Sequence, residues 1–236
     1  FRHLILPEKL PPPTELLDLQ PIPLSDIPFP TFVAHYAKEF KFLNAIQTQV
    51  FHAVFKSDEN TLVAAPTGSG KTLIAELAIL RALEQGGRCA YIAPLAPLVA
   101  DRYADWKKKF GESKTVAMLT GEMAQDLKLL EKADIIVSTP ENWDLLSRRW
   151  KQRKHVQTLR LFIADELHLI GGVSGPTLEV IVSRTRYIAS QTGNHTRLLG
   201  LASSLANARD VGEWIGAPSS SIFNFHPNVR PIPLEV

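Results

Sequence analysis

Short apolar runs alternate with segments of helical periodicity over most of the chain. The apolar runs occupy residues 61–64, 88–93, 114–119, 134–138, 160–164 and 197–202. Helical spacing follows them at residues 73–83, 95–110, 124–132, 141–151, 177–191 and 206–215. Strands that are apolar throughout are buried on both faces, and parallel strands need helical crossovers. The pattern therefore predicts an α/β fold, a doubly wound parallel sheet with helices on both faces.

Proline-rich segments flank this alternating region. Residues 1–30 hold prolines between short apolar pieces, which predicts an extended arm lying on the surface of the domain. Residues 31–222 form the predicted domain, in which Asn44 caps a helix that precedes the first strand. Residues 223–236 are again rich in proline and are predicted to be a linker toward a second domain outside this chain.

Composition adds limits to this picture. The 236 residues are 45% hydrophobic and 21% charged, which is typical of a globular domain. The formal net charge is only +2, so contacts with nucleic acid would have to come from local patches and backbone groups. Cys89 is the single cysteine, which excludes an internal disulfide and favours a reducing compartment. No apolar run reaches the roughly 20 residues that cross a bilayer, so no membrane partner is expected.

Residues 65–72, Ala-Pro-Thr-Gly-Ser-Gly-Lys-Thr, lie between the first apolar run and the helical segment that follows it. Small residues such as Gly68, Ser69 and Gly70 let a loop point successive backbone N–H groups at a polyphosphate. Lys71 supplies a charge for the β- and γ-phosphates, and the Thr72 hydroxyl is suited to Mg²⁺. A plain glycine–serine turn is the alternative, but the order strand, loop, helix favours the phosphate-binding loop of a P-loop NTPase.

An acidic element, Asp-Glu-Leu-His at residues 165–168, directly follows the fifth apolar run. That position places Asp165 at the carboxyl end of a strand, where doubly wound sheets bind their ligands. Asp165 can hold the hydration shell of Mg²⁺ opposite Thr72, and Glu166 can orient or deprotonate an attacking water. A solvated acidic loop is the simpler alternative, as is a packing or capping role for His168.

Together, the two elements resemble motifs I and II of the superfamily-two DExH-box helicases. The resemblance implies a RecA-like fold, ATP-dependent RNA helicase activity of the whole protein, and ATP with Mg²⁺ as cofactors. It implies catalytic roles for Lys71, Asp165 and Glu166, with Thr72 and Asp165 holding the metal. The residues that it assigns to ATP are Gln47, which would recognise the adenine, and Thr67, Gly68, Ser69, Gly70, Lys71 and Thr72.

Further short elements match the same family in their order along the chain. In the family, some of these elements contact the sugar–phosphate backbone of a single strand. They correspond here to Pro94, Thr120, Gly121, Thr139 and Pro140, which implies RNA as a partner. Those that couple the nucleotide to the nucleic acid correspond to His168, Ser203 and Ser204. Each element alone would be an ordinary turn, and only the ordered set is informative.

Three longer segments narrow the resemblance, and they occupy residues 1–21, 138–154 and 223–235. They are similar to the large two-cassette spliceosomal helicases that unwind paired small nuclear RNAs, and in particular to the second, C-terminal cassette. This implies a nuclear protein whose partners are splicing factors, a neighbouring helicase cassette and a second RecA-like domain. The related two-cassette helicase of the signal-cointegrator complex, which would act on other nucleic acid, is a less close match.

Two features limit the activity that the resemblance implies. Active relatives usually carry Ser-Ala-Thr in motif III, whereas this chain has Ala202-Ser203-Ser204. We therefore expect a regulatory cassette that binds ATP, with a fully active unwinding motor as the alternative. The chain also lacks the Q-x-x-G-R-x-x-R motif that carries the arginine finger of the second domain, so the chain alone should hydrolyse almost no ATP.

The strongest basic cluster covers residues 148–154, Arg-Arg-Trp-Lys-Gln-Arg-Lys. Basic residues around an aromatic ring are compatible with nucleic-acid binding. The cluster lies away in sequence from the strand ends, so a solvated helix end or a protein contact is favoured.

Overall fold

The computed structural model describes residues 12–230 and contains a seven-stranded sheet whose paired strands are all parallel. The strand order is β3-β4-β2-β5-β6-β1-β7. The strands are β1 (Thr61–Ala64), β2 (Arg88–Ile92), β3 (Val116–Met118), β4 (Ile135–Ser138), β5 (Leu159–Ala164), β6 (Arg197–Ala202) and β7 (Ile222–Asn224). The first six correspond to the six predicted apolar runs.

Helices cover both faces of the sheet, as the sequence predicted. Those that pack into one apolar layer are α1 (Pro30–Tyr36), α2 (Ala45–Phe51), α3 (Lys71–Glu84) and α4 (Ala96–Phe110). Those of the opposite layer are α5 (Met123–Lys132), α6 (Pro140–Ser147), α7 (Lys154–Gln157), α8 (Gly175–Thr192) and α9 (Ala208–Ile215). Among residues 12–230, none of the helices is long and apolar enough to cross a membrane.

The predicted helix at residues 141–151 is shorter in the structure, where α6 ends at Ser147. A 3-10 turn at Trp150–Gln152 and the short α7 replace its last part. The guanidinium of Arg153 donates to the carbonyl oxygens of Leu145 and Leu146, which satisfies acceptors that a helix end leaves free. Part of the basic cluster therefore terminates α6 instead of extending it.

The C-terminal tail, residues 222–230 of the described chain, begins with a strand of the sheet. Residues 222–224 form β7, which pairs with β1, and the Phe225 side chain is fully buried. The prediction of a linker from residue 223 onward was therefore wrong for its first three residues. The apolar side chains of Phe223 and Phe225 outweigh the nearby prolines, because Phe225 is buried in the core and Phe223 packs against it. The N–H of Phe225 also donates to the carbonyl of Ala64.

The proline-rich arm also packs more closely than a surface segment would. Leu24 and Ile27 are buried in the core, and the N–H of Thr14 donates to the carbonyl of Asn224 over 2.7 Å. The arm thus borders the exposed edge of β7. Residues 1–11 of the predicted arm and residues 231–236 of the predicted linker lie outside the described residues.

Candidate nucleotide site and nucleic-acid edge

The parallel sheet brings the predicted site residues that follow its strands to one edge, because the carboxyl ends of parallel strands point the same way. The adjacent strands β5, β6 and β1 end in the segments 165–168, 203–204 and 65–72. On the other side of β5, the strands β2, β4 and β3 end in the residues expected to contact RNA: Pro94, Thr139 with Pro140, and Thr120 with Gly121. The topology thus places the residues expected to bind nucleotide and those expected to contact RNA on two halves of this edge, which we call the nucleotide half and the nucleic-acid half.

The loop after β1 adopts a conformation that depends on its glycines. Gly68 and Gly70 have φ angles of 83° and 82°, in the left-handed region that favours glycine. Gly70 is also the residue from which α3 begins. A Cβ atom at Gly70 would lie 2.2 Å from the Nε2 atom of Gln47, so a side chain at this position would force the Gln47 amide to move away from the Gly70 carbonyl.

The side chains of Asn44 and Gln47, at the start of α2, hydrogen-bond the backbone of this loop. Asn44 caps α2, accepting from the Gln47 N–H over 2.9 Å, while its Nδ2 atom donates to the Ser69 carbonyl over 3.0 Å. The Gln47 Oε1 atom completes the capping box, and its Nε2 atom donates to the Gly70 carbonyl over 3.3 Å. The structure therefore brings Gln47 to the phosphate-binding loop; recognition of adenine by Gln47 stays a prediction.

We expect Gly70→Ala to destabilise the domain by about 1–3 kcal/mol, because it adds left-handed strain and a clash with Gln47. Gly86→Ala is the matched control, since Gly86 has a φ of 70° but a Cβ atom added there would meet no other atom within 4 Å. Chemical unfolding of both variants separates the two contributions. An equal loss of free energy of unfolding in both would mean that the contact with Gln47 carries no weight.

Lys71 is the charged residue of the loop, and its ammonium group bonds the loop itself. Its Nζ atom donates to the carbonyl oxygens of Ala65 over 2.8 Å and Pro66 over 3.3 Å. Burial lowers the pKa of Lys71, while the carboxylates of Asp165 and Glu166 act in the opposite direction. The strand order places Lys71 after β1 and the acidic pair after β5, on the two sides of β6, so motifs I and II lie at the same edge of the sheet.

Asp165 is buried, and two donors fix its carboxylate. The Tyr91 hydroxyl donates to Oδ2 over 2.5 Å, and the N–H of Glu166 donates to Oδ1 over 2.8 Å. Burial raises the pKa of Asp165, and the hydrogen bond from Tyr91 opposes that rise. Sequence reasoning missed Tyr91; a hydroxyl inside an otherwise apolar strand was its only signal.

The residues present fit Mg²⁺ bound together with a nucleotide. Within residues 12–230, no cluster of three or more His, Cys, Asp or Glu side chains could hold a metal alone. Mg²⁺ bound with nucleotides usually takes one or two protein oxygens, phosphate oxygens and waters. The Thr72 hydroxyl at the start of α3 and the fixed Asp165 carboxylate are donors of that kind.

A chain of contacts joins Glu166 to motif III. Glu166 has a φ of 55°, the one positive φ outside glycine in the described part of the chain. Its Oε2 atom lies 3.2 Å from Nε2 of His168, whose Nδ1 atom accepts from the N–H of Ser203 over 3.2 Å. Because Nδ1 accepts, Nε2 carries the proton and donates to Glu166. The link uses the Ser203 backbone, which does not depend on the side chain at that position.

Ser204, the other predicted coupling residue, faces the tail. Its hydroxyl donates to the Phe225 carbonyl over 2.6 Å. The next residue, Leu205, exchanges two hydrogen bonds with the Asn224 side chain, over 3.0 and 2.7 Å. Motif III is therefore bonded on one side to His168 and on the other to the segment that leaves the sheet.

In the nucleic-acid half, a buried carboxylate shapes the loop after β3. Asp126 accepts from the N–H and hydroxyl of Thr120 and from the N–H of Gly121, over 2.8 to 2.9 Å. Thr139 caps α6 through its hydroxyl. Pro140 is buried at the first position of α6, so of these strand-end residues it offers the least surface to a ligand.

The sequence profile of the DEAD/DEAH box helicases matches residues 44–211, which is most of the chain and spans the phosphate-binding loop, the acidic element and motif III. The chain belongs to this helicase family. The family assignment agrees with the sequence prediction of a DExH-box helicase.

Two relatives and one solved structure illustrate the match. The chain is 60% identical over 240 residues to the human "U5 small nuclear ribonucleoprotein 200 kDa helicase". It is 59% identical over 242 residues to a "DExH-box ATP-dependent RNA helicase" of Arabidopsis thaliana. In both cases all of this chain is covered but only 11% of the relative, so the chain spans about a ninth of their length.

The fold resembles that of Mss116p bound to ssRNA and AMP-PNP, with a TM-score of 0.69 and 17% identity. The match covers 90% of this chain and 45% of the other. At this identity the likeness concerns the fold alone, which is thus the RecA-like fold that the sequence predicted.

Proposed function

We propose that this chain is the first RecA-like, ATP-binding domain of a spliceosomal DExH-box RNA helicase. The observation that carries the proposal is the placement of Lys71 after β1 and of Asp165 and Glu166 after β5, the two strands that flank β6, at one edge of the sheet. The identity to the U5 helicase over the whole chain supports the spliceosomal part, and with it a nuclear location.

In this proposal each residue has a defined task. The N–H groups of the loop and the start of α3 receive the phosphates, and Lys71 exchanges its present carbonyl partners for phosphate oxygens. Thr72 and Asp165 hold Mg²⁺, which supplies charge neutralisation for the phosphates when bound. Glu166, fixed by His168, positions the attacking water. Gln47 contributes to adenine recognition from the base of the loop.

RNA is the proposed partner of the nucleic-acid half. Thr120 and Gly121 form an exposed or partly exposed turn that Asp126 holds rigid, and Pro94 and Thr139 end the neighbouring strands. Short hydroxyl and backbone groups of this kind suit contacts to phosphates, which position a strand without selecting a sequence. The remaining proposed partners are a second RecA-like domain, a neighbouring cassette and splicing factors.

We assign the chain to the C-terminal, regulatory cassette, with an active unwinding motor as the second candidate. The regulatory role rests on the Ala202-Ser203-Ser204 sequence of motif III. The motor candidate draws support from the intact Glu166–His168–Ser203 link, whose last hydrogen bond comes from the backbone.

Glu166→Gln in the full-length protein discriminates between the two roles, because it removes the water-positioning carboxylate and keeps the shape. For a regulatory cassette we expect ATP hydrolysis and RNA unwinding by the whole protein to change less than about 2-fold, because the neighbouring cassette would supply both activities. A change of about 2-fold corresponds to only about 0.4 kcal/mol. The matched control is Glu131→Gln at the exposed end of α5. A large loss of both activities in Glu166→Gln alone would favour the motor.

A further inference from the structure

The tail that follows β7 reaches the phosphate-binding loop. Its course is fixed by the N–H of Phe225, which donates to Ala64 over 2.8 Å, and by the Ser204 hydroxyl on the Phe225 carbonyl. A 3-10 turn at Pro227–Val229 comes next, and the Nδ1 atom of His226 accepts from the N–H of Asn228 at its start. This anchored turn places Arg230 beside Gly68 of the phosphate-binding loop.

The Arg230 guanidinium lies against the loop. A Cβ atom built on Gly68 would be 3.3 Å from Nη2 and 3.5 Å from Nε of Arg230. The Nε atom is buried without a hydrogen-bond partner in the described part of the chain, and Arg230 has no ion pair among residues 12–230. A buried Nε–H group without an acceptor costs free energy, and an anion is the natural complement of the guanidinium.

The surroundings suit an anion as well. Arg230 lines a pocket of about 560 Å³, whose other walls include Pro66 and Thr67 of the loop and Ser203 and Ser204 of motif III. None of the described residues that line it is acidic. Within the loop, the hydroxyl of Ser69 is also buried with no hydrogen-bond partner in the described structure. The Ser69 hydroxyl in the loop and the Arg230 Nε–H against it both lack an acceptor, which a ligand with many oxygen atoms would supply.

We infer that Arg230 is a phosphate-contacting residue of the nucleotide site, supplied by the same chain from the segment after β7. This inference rests on the proposed ATP site and adds to it a second cation beside Lys71. The pocket volume lies in the range of small-ligand sites. Since the guanidinium adjoins the loop, the ligand chemistry that it recognises is a di- or triphosphate chain.

The test is equilibrium binding of ATP, ADP and adenosine, with Mg²⁺, to the whole chain and to Arg230→Gln. We expect ATP and ADP affinity to fall about 5- to 20-fold, as for loss of one charge-assisted contact, and Arg230→Lys to recover part of it. Adenosine binding should not change. Arg149→Gln, which removes an exposed charge after α6, is the control and should match the parent chain.

The outcomes distinguish the role of Arg230 from the proposed ATP site on which it rests. Unchanged ATP affinity in Arg230→Gln, while Lys71→Ala loses binding, would overturn the role of Arg230 and leave the ATP site standing. Tighter binding in Arg230→Gln would also overturn it, since the guanidinium would then compete with the phosphates. An unaltered chain that binds neither ATP nor ADP would contradict both.

Discussion

Replacing Lys71 by alanine is expected to weaken ATP binding about 100-fold or more. The ammonium group lies over the loop carbonyls and beside the acidic pair, where it can bond phosphate oxygens in a partly desolvated site. Loss of charge-assisted bonds to two phosphates corresponds to about 3 kcal/mol. Isothermal titration of ATP with Mg²⁺ into the chain and its variant measures the change directly.

A matched control separates loss of the contact from loss of the fold. Lys128→Ala removes an equal charge from an exposed position on α5 and should leave ATP affinity unchanged. Lys71 also bonds two loop carbonyls, so thermal unfolding should show a loss of at most about 1 kcal/mol in Lys71→Ala. Retention of full ATP affinity by Lys71→Ala would contradict the assignment of residues 65–72 as the phosphate-binding loop.

The predictable part of the fold was the part that local pattern determines. Six of the seven strands are mainly apolar runs, such as Ile135–Ser138, because a parallel strand covered by helices on both faces buries most of its side chains. Two site elements were equally predictable, because a glycine-bearing loop before a helix and an acidic pair after a strand both depend on neighbours in sequence. The fold then brought those elements together at one edge of the sheet.

Contacts between distant residues could not be predicted in this way. Tyr91 and Asp165 are 74 positions apart, and only the pairing of β2 with β5 brings the hydroxyl to the carboxylate. The bonds from Asn44 and Gln47 to the loop span 25 and 23 positions. The sequence indicated that Asn44 caps a helix, but not that the same side chain also holds the phosphate-binding loop.

The tail shows how one residue type can mislead a local prediction. Proline predicts extended chain whether the chain is free or bound in a sheet, since both conformations share the same backbone region. The three residues of β7 and the buried ring of Phe225 decide between the two, and they do so through contacts with β1 and the core. The same error concealed Arg230, which reaches the loop only because the tail is anchored there.

The chain alone is expected to hydrolyse ATP at least about 10³-fold more slowly than a cassette that includes the second RecA-like domain. Transfer of the γ-phosphoryl group develops negative charge that arginine fingers stabilise, and their contribution to the rate is about 10³–10⁵. The proposed site contains Lys71, Asp165 and Glu166, and the arginine that we propose to add to it, Arg230, adjoins Gly68 of the loop.

Phosphate release under saturating ATP, with and without single-stranded RNA, measures this difference independently of weak binding. Lys71→Ala provides the background rate, and the longer cassette provides the reference. Binding of ATP without turnover would agree with a site that is complete for the nucleotide and incomplete for charge on the γ-phosphate. Turnover by the chain alone at the rate of the longer cassette would mean that its own cations suffice to stabilise the charge on the γ-phosphate. The rate of Arg230→Gln would then show whether Arg230 is the cation responsible.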